Sequence, residues 1–191
     1  MNKNLKIVTA ITGASGSIYA KLFLEKALTL SDIDKDFLSL VISDSGKEVA
    51  DYELGNGWTT NLNIKEYSNK SFFAPFASGS SEYDALVVIP CSMGTLGRIA
   101  SGTSEDLISR AADVMLKERK KLILVIREMP YNLIHIKNME IISLAGGIIL
   151  PANPSFYSHP QSINELVMTV VDRVFDNLKI VHDYKRWALN K

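Results

Sequence analysis

The chain has 191 residues, 47% of them hydrophobic and 22% charged, and its 21 Lys and Arg balance its 21 Asp and Glu. This length suits one domain with a full core, and the balanced charge leaves no general field that would attract nucleic acid or anionic lipid. The single cysteine, Cys91, excludes an internal disulfide framework, and no run of about eighteen apolar residues predicts a membrane span, so we expect a cytoplasmic protein.

Short β-branched apolar runs alternate with helical patterns, which predicts parallel strands joined by crossover helices. The predicted strands are residues 5–11, 37–42, 85–89, 122–126 and 148–150. The first predicted helix carries Ile18, Leu22, Leu24, Ala27 and Leu28, and the others are residues 47–54, 107–119, 133–145 and 163–178.

The stretch between the second helix and the third strand is rich in Gly, Asn, Ser and Pro. The pattern leaves open whether a short strand forms near residues 62–67. Residues 74–81 are interpreted as an ordered loop. We therefore predict a single α/β domain over residues 1–191, with a C-terminal tail from about residue 179. Its expected architecture is a doubly wound three-layer sandwich with a mostly parallel sheet of roughly five strands, Rossmann- or flavodoxin-like.

Ligands of doubly wound sheets bind at the carboxyl ends of the strands, so the residues after each strand are the first candidates for a site. Residues 13–16, Gly-Ala-Ser-Gly, follow the first strand and would bring two glycines and a helix N-terminus to an anion. Ser15 stands where a GxGxxG fingerprint has its middle glycine, so a dinucleotide site is only weakly indicated. A tight turn without a ligand is the alternative.

Two further strand ends carry small polar residues. After the second strand, helix capping by Ser43 or Asp44 is favoured over a ligand contact. After the third, Ser92, Thr95 and the backbone amides would suit a phosphate or the edge of a flavin ring. Cys91 is predicted to be a buried structural thiol, because no histidine lies near it in sequence.

Charged residues follow the fourth strand, where Arg127 and Glu128 form either a site or a structural ion pair. Arg110 and Lys117 are seven residues apart on one predicted helix and should share a face. Neither an aspartate-rich magnesium cluster nor a zinc spacing is present in the sequence, so a departing phosphate would be stabilised by Lys and Arg.

Tyr157 and Arg173 are the last candidates. Tyr157 belongs to an aromatic loop after the last predicted strand, and Arg173 to the last predicted helix. Together they would complete an anion pocket. The alternative for Arg173 is a solvated surface side chain.

Several blocks, taken together, resemble the UbiX-type flavin prenyltransferases, once labelled aromatic acid decarboxylases of the flavoprotein type. They run in the family's order from about residue 6 to about residue 186. The blocks are residues 13–16, 77–80, 90–96, 110–114, 116–119, 127–128, 138–139 and 156–162. The runner-up, the cysteine decarboxylases of the same superfamily, uses a catalytic histidine and other loops that this sequence does not show.

The resemblance implies an enzyme that binds reduced FMN at the subunit interfaces of a homo-oligomer, a dodecamer. It implies dimethylallyl monophosphate as substrate, no metal, and bonding of the prenyl group to N5 and then C6 of the flavin. The product, prenylated FMN, would serve a decarboxylase of the UbiD type.

The resemblance also implies roles for individual residues. FMN would contact Gly13, Ala14, Ser15, Ser43, Ser92, Met93, Gly94, Thr95, Arg110 and Arg127. The prenyl phosphate would contact Phe72, Ala77, Ser78, Gly79, Lys117, Arg127, Tyr157 and Arg173, partly from neighbouring subunits. Phe72 stands where many family members have Trp, and is a weaker partner for a developing cation.

The implied catalytic residues are Ser15, Glu53 and Glu128. Glu128 would lie beside Ser15 and relay protons, and Glu53 would be a second acid or base. Both carboxylates are expected to have pKa values tuned towards neutrality.

Two other functions stay open at this point. An FMN-dependent decarboxylase or reductase would not need Lys117, Tyr157 and Arg173 together. A carrier that delivers FMN to a decarboxylase would not depend on Glu53 and Glu128.

Overall fold

The computed structural model describes residues 4–187, so residues 1–3 and 188–191 of the predicted domain lie outside the described residues. Within the described part, six strands form one parallel sheet in the order β3-β2-β1-β4-β5-β6. The strands are β1 (Leu5–Ile11), β2 (Ile33–Ile42), β3 (Lys65–Ser68), β4 (Ala85–Cys91), β5 (Lys121–Ile126) and β6 (Ile148–Pro151). The strand order reverses between β1 and β4, which places a crevice at their carboxyl ends.

The helices cover both faces of this sheet. They are α1 (Ser17–Thr29), α2 (Asp44–Leu54), α3 (Met93–Ala100), α4 (Leu107–Lys117), α5 (Leu133–Leu144) and α6 (Ile163–Leu178), with a 3₁₀ turn at Pro75–Ala77. Successive side chains of a strand point to opposite faces. In β1, Ile7 and Ile11 therefore pack in the core of α1 and α6, while Val8 and Ala10 pack in the core of α3 and α4. The predicted doubly wound α/β sandwich is confirmed.

The sheet has six strands where roughly five were expected, because the short strand left open near residues 62–67 is present as β3 at the edge. Three of its four residues are exposed and polar, so it carries little of the hydrophobic pattern on which the prediction relied. β4 also continues through Pro90 to Cys91, past its predicted end at residue 89. Proline cannot donate to a neighbouring strand, and the pairing with β5 is irregular between Val88 and Cys91.

The C-terminal segment, residues 179–187, follows α6 without regular secondary structure. We call it the C-terminal strap, because Ile180 and His182 are buried against the domain. Helix α6 ends at Leu178, one residue before the start of the predicted tail. No helix found between residues 4 and 187 has the length and the apolar character needed to cross a bilayer.

The core between α1 and α6 contains a stacked aromatic pair. The rings of Phe23 and Phe175 have centroids 4.9 Å apart with an interplanar angle of 17°, and both side chains are fully buried. Such pairs add to the stabilisation that comes from burial alone.

We predict that Phe175→Ala lowers the free energy of unfolding by about 3–5 kcal/mol, because it leaves a cavity and removes the stack. Phe73→Ala is the matched control, since Phe73 is fully exposed and its loss should change that free energy by less than about 0.5 kcal/mol. Urea unfolding of both variants measures the difference. Equal effects would show that the α1–α6 contact contributes little.

Candidate functional site

Thr12 joins the ends of the two central strands. Its hydroxyl donates to the Pro90 carbonyl at 2.9 Å and accepts from the Ser92 N–H at 2.8 Å. The side chain is buried, so these bonds fix the end of β1 to the end of β4 where the strand order reverses. Sequence reasoning did not single out Thr12 as a candidate. The available signal was a hydroxyl directly after a buried strand.

The turn after β1 lies tightly against the start of α2. A Cβ on Gly13 would lie 2.5 Å from Ser45 Oγ, so a larger residue does not fit there. Gly16 has a φ of 107°, a left-handed conformation that favours glycine, and α1 begins at the next residue. The two glycines therefore bring the backbone of residues 13–16 to the mouth of the crevice, while Ala14 is buried and Ser15 exposed.

Glu53 occupies the N-terminus of α1. Its Oε2 accepts hydrogen bonds from Gly16 N at 3.0 Å and from Ser17 N at 2.7 Å. Burial raises the pKa of Glu53, but hydrogen bonds from the Ser15 hydroxyl and these two amides outweigh it and hold the pKa below the ordinary 4.5. The expectation of a pKa near neutrality is therefore wrong for Glu53. An ionised carboxylate here offsets the positive end of the helix dipole.

The N-terminus of α3 is capped differently. Ser92 Oγ accepts from Thr95 N at 3.3 Å and lies 3.1 Å from Thr95 Oγ1, which also accepts from Arg98 Nη2 at 3.0 Å. Gly94 is exposed, whereas the Met93 side chain is buried in the core. Because the cap is a neutral hydroxyl, the positive end of this helix is not offset as that of α1 is.

Ser43 and Cys91 have structural roles in the chain. Ser43 Oγ accepts from Gly46 N at 3.0 Å at the start of α2, which confirms the capping interpretation. Asp44 lies on the surface, 3.1 Å from Lys70 Nζ. Burial raises the pKa of Cys91 to about 12, and its side chain is fully buried, so it is a structural thiol as predicted.

Arg127 reaches from the end of β5 across the crevice. Its Nε donates to the Ser15 carbonyl at 3.0 Å. Burial raises the pKa of Tyr19, and the charge of Arg127 partly opposes this, so the phenol also lies near the guanidinium. Glu128 turns elsewhere: its carboxylate accepts from Met129 N at 3.0 Å. Ser15 is thus held by the cation, whereas the expectation was a contact with Glu128.

A second group of candidates lies along α4. Arg110 Nε donates to the Ala77 carbonyl at 3.0 Å, and a Cβ on Gly79 would lie 2.5 Å from Lys117 Nζ. Ser78 Oγ lies 3.0 Å from the hydroxyl of Ser80 in the same segment. α4 therefore brings both cations to residues 77–79, as their seven-residue spacing predicts.

Lys117 and Arg127 nevertheless lie far apart within one chain. Lys117 ends α4 just before β5 begins, and Arg127 follows directly after β5 ends. The six residues of β5 span about 20 Å at the usual rise of a strand. The two cations therefore lie at opposite ends of the parallel strands.

Phe72 lies in the loop that leads to residues 77–79. Asn69, at the start of this loop, accepts hydrogen bonds from Leu107 N at 2.8 Å and from Ile108 N at 3.1 Å. The loop therefore begins beside the start of α4. The Phe72 side chain is 47% exposed, so its ring is available to another molecule.

Tyr157 and Arg173 line a cavity of about 520 Å³ on the flank of β6. The Tyr157 ring makes an edge contact with Trp187 at 5.5 Å, and Arg173 Nη1 pairs with Asp176 at 2.6 Å. Sequence reasoning missed the walls that the C-terminal strap contributes, which are Tyr184, Arg186 and Trp187. The aromatic and basic composition of residues 184–187 was the available signal.

Comparisons with known proteins show similarity over nearly the whole chain. The family model described as Flavoprotein matches residues 1–175. The flavin prenyltransferase UbiX of Methanocaldococcus jannaschii is 46% identical over 187 residues, which cover 96% of this chain and 99% of that protein.

Two solved structures are similar over nearly the whole chain. One is a dodecameric FMN-dependent UbiX-like decarboxylase from Escherichia coli O157:H7, with 35% identity, a TM-score of 0.89, and coverage of 96% of this chain and 99% of that one. The other is AnUbiX in complex with FMN and dimethylallyl pyrophosphate. It has 36% identity, a TM-score of 0.88, and coverage of 97% and 100%.

We predict that Glu53→Gln lowers the free energy of unfolding at pH 7 by about 0.5–1 kcal/mol, because it removes the charge at the α1 N-terminus. The folded-state pKa is depressed, so this stabilisation is present above pH 4.5 and is lost as the pH falls through the lower folded-state value. The difference between the two proteins should therefore shrink in acid. Denaturant unfolding at pH 7 and at about pH 3 measures it.

Glu48→Gln is the control, since Glu48 is an exposed residue of the same helix. A Glu53→Gln penalty as large in acid as at pH 7 would contradict the assigned capping role.

Proposed function

The chain belongs to the flavoprotein family, and on that premise we propose that it is a flavin prenyltransferase, which transfers a dimethylallyl group from dimethylallyl monophosphate to reduced FMN. The observation that carries this proposal is a second set of anion-binding side chains outside the crevice: Lys117, Tyr157 and Arg173. A flavin carrier or a flavin reductase has no need of this set.

The crevice between β1 and β4 fits FMN. Its two helix N-termini differ, because Glu53 already neutralises α1 while α3 has a neutral cap. We therefore assign the FMN phosphate to α3, where Ser92, Thr95 and the backbone at Met93 and Gly94 supply donors. The backbone of residues 13–16 would approach the flavin at the mouth of the crevice, and Arg127 lies at its rim.

When bound, reduced FMN supplies the nucleophilic N5 and C6 atoms that accept the prenyl group. The protein has to hold the prenyl phosphate and stabilise the phosphate as its bond to carbon breaks. We propose that Lys117, Arg127 and Arg173 supply positive charge for this, and that Tyr157 donates a hydrogen bond. The Ala77–Gly79 segment and Phe72 would form the remaining wall, with the Phe72 ring facing the developing allylic cation.

The position of the two β5 cations supports a site shared between subunits. Lys117 and Arg127 lie at opposite ends of the strands within one chain, so they reach the same phosphate only when different copies supply them. We propose a homo-oligomer, and by similarity to the relative from Escherichia coli a dodecamer. Exposed apolar side chains of α5 offer surface for such contacts, namely Leu133, Ile134, Ile136 and Leu144.

The carboxylates have different tasks in this proposal. Glu128 accepts only a backbone N–H beside it among the hydrogen bonds found in residues 4–187, so its second oxygen is available to accept the proton released at flavin C6. Glu53 stays ionised and orients Ser15 and the α1 N-terminus. Ser15, exposed at the crevice mouth, would relay protons near N5.

Two parts of the proposal extend beyond the site. The recipient of prenylated FMN would be a UbiD-type decarboxylase, as the family resemblance implies. A cytoplasmic location is supported by the free thiol of Cys91.

We predict that the wild-type protein, incubated without oxygen with reduced FMN and dimethylallyl monophosphate, yields a flavin heavier by one prenyl unit. Glu128→Gln should slow its formation by about 10²–10⁴-fold, because a positioned base is lost. FMN affinity should be unchanged in this variant. Mass spectrometry of the extracted flavin and a fluorescence titration with FMN measure the two quantities.

Glu25→Gln, an exposed change on α1, is the control and should prenylate FMN at the wild-type rate. Tight FMN binding without any mass gain in the wild-type protein would overturn the transferase and favour a carrier. Normal turnover of Glu128→Gln would remove Glu128 from the mechanism.

A further inference from the structure

We propose that His182 is a positioning residue that fastens the C-terminal strap over the prenyl-phosphate cavity and thereby sets the affinity for that substrate. The inference rests on the proposed function, because it takes the cavity of Tyr157 and Arg173 as the place where the phosphate binds.

Two carboxylates of α6 hold the strap. Asp172 and Asp176 are four residues apart and so lie one above the other on the same helix face. Asp172 pairs with Lys26 Nζ at 2.7 Å and lies 3.4 Å from His182 Nε2. Asp176 accepts a hydrogen bond from the Tyr184 hydroxyl and forms an ion pair with Arg186 Nη2 at 2.9 Å. Each acid therefore connects the helix to the strap.

His182 is the innermost of these attachments. Its side chain is fully buried, its Nδ1 lies 3.1 Å from the Ile180 carbonyl, and its Nε2 lies 3.4 Å from Asp172 without forming a hydrogen bond. A buried polar ring without partners is unfavourable, so the Ile180 carbonyl and the nearby Asp172 carboxylate favour this place for the ring and thereby fix where the strap enters the fold. Asp172 is itself held by Lys26 of α1, which makes the anchor part of the α1–α6 core.

Stacked rings connect this anchor to the cavity. His182 lies 5.4 Å from the Phe175 ring on its inner side and stacks on Tyr184 at 4.8 Å and 9°. The Arg186 guanidinium lies 4.4 Å from the Tyr184 ring. The order Phe175, His182, Tyr184, Arg186 therefore runs from the core to the wall of the cavity.

The strap sets both the charge and the shape of the cavity. Burial raises the pKa of Asp176, but bonds from Tyr184 and Arg186 outweigh it and keep the acid ionised. Asp176 then holds Arg173 and Arg186 together, and two guanidinium groups with one carboxylate leave one net positive charge for an anion. A second cavity of about 340 Å³, whose wall includes Asp172, shares Tyr157, Thr169 and Tyr184 with this one.

Loss of the His182 contact should therefore release the strap, separate Arg186 from Arg173 and merge the two cavities. The strand-end crevice, which holds the FMN residues, lies elsewhere in the fold and should be unaffected. The structure thus predicts a defect in prenyl-phosphate binding without a defect in FMN binding.

The test compares His182→Phe, which keeps an aromatic ring but removes both ring nitrogens, with His182→Gln, which keeps a donor for Asp172. In His182→Phe we expect the KM for dimethylallyl monophosphate to rise about tenfold with kcat nearly unchanged, the pattern of lost ground-state binding. His182→Gln should recover most of that loss. Val181→Ala is the control, because Val181 is an exposed strap residue.

Two measurements do not depend on turnover. Calorimetric titration of the protein loaded with oxidised FMN gives the Kd for dimethylallyl monophosphate, and hydrogen exchange reports the amides of residues 180–187. In His182→Phe we expect a weaker Kd, faster exchange confined to the strap, and an unchanged Kd for FMN. If the wild type prenylates FMN but His182→Phe changes neither the exchange of the strap nor the Kd for dimethylallyl monophosphate, the positioning role alone would be overturned. A wild type that makes no prenylated flavin would instead overturn the proposed function.

Discussion

β5 has six residues and spans about 20 Å, and Lys117 precedes it while Arg127 follows it, so the two cations lie at opposite ends of the strand. All six strands are parallel, so the residues proposed to face the flavin collect at the carboxyl ends of the strands, while α4 ends at the opposite ends. A phosphate that needs both cations has to be bound between copies of the chain. The separate groups of candidate residues then become parts of one site that the assembly completes.

Ionised carboxylates prepare this chain for its anionic ligands. Glu53 accepts hydrogen bonds from the free backbone N–H groups at the N-terminus of α1, so the N-terminus of α3 is the one proposed for a phosphate. Asp176 holds Arg173 and Arg186 together at the second cavity. In the proposed site, an internal anion in both places determines where an external anion would bind, because it fixes donors in advance and so reduces the reorganisation that binding requires.

The doubly wound fold and most strand ends were predictable, because buried parallel strands carry continuous apolar runs and their ends carry Gly and Ser. The polar edge strand β3 carries little of this signal, so a strand near residues 62–67 was left open and its bounds were not predicted. The capping by Glu53 joins residues 36 positions apart, and the strap contacts depend on how the chain folds back on α6. Contacts of this kind are set by tertiary packing, which the residue pattern alone does not encode.

The shared site is tested most directly by mixing two inactive variants in one assembly. Lys117→Ala and Arg127→Ala should each abolish prenyl transfer, since every site then lacks one cation. Coexpressed copies should regain about a quarter of the wild-type activity, because random assortment gives some sites both cations from different subunits. Separately assembled variants, combined only after purification, should stay inactive. A coexpressed assembly without activity would contradict the account, since it would mean that one chain supplies both residues to the same site.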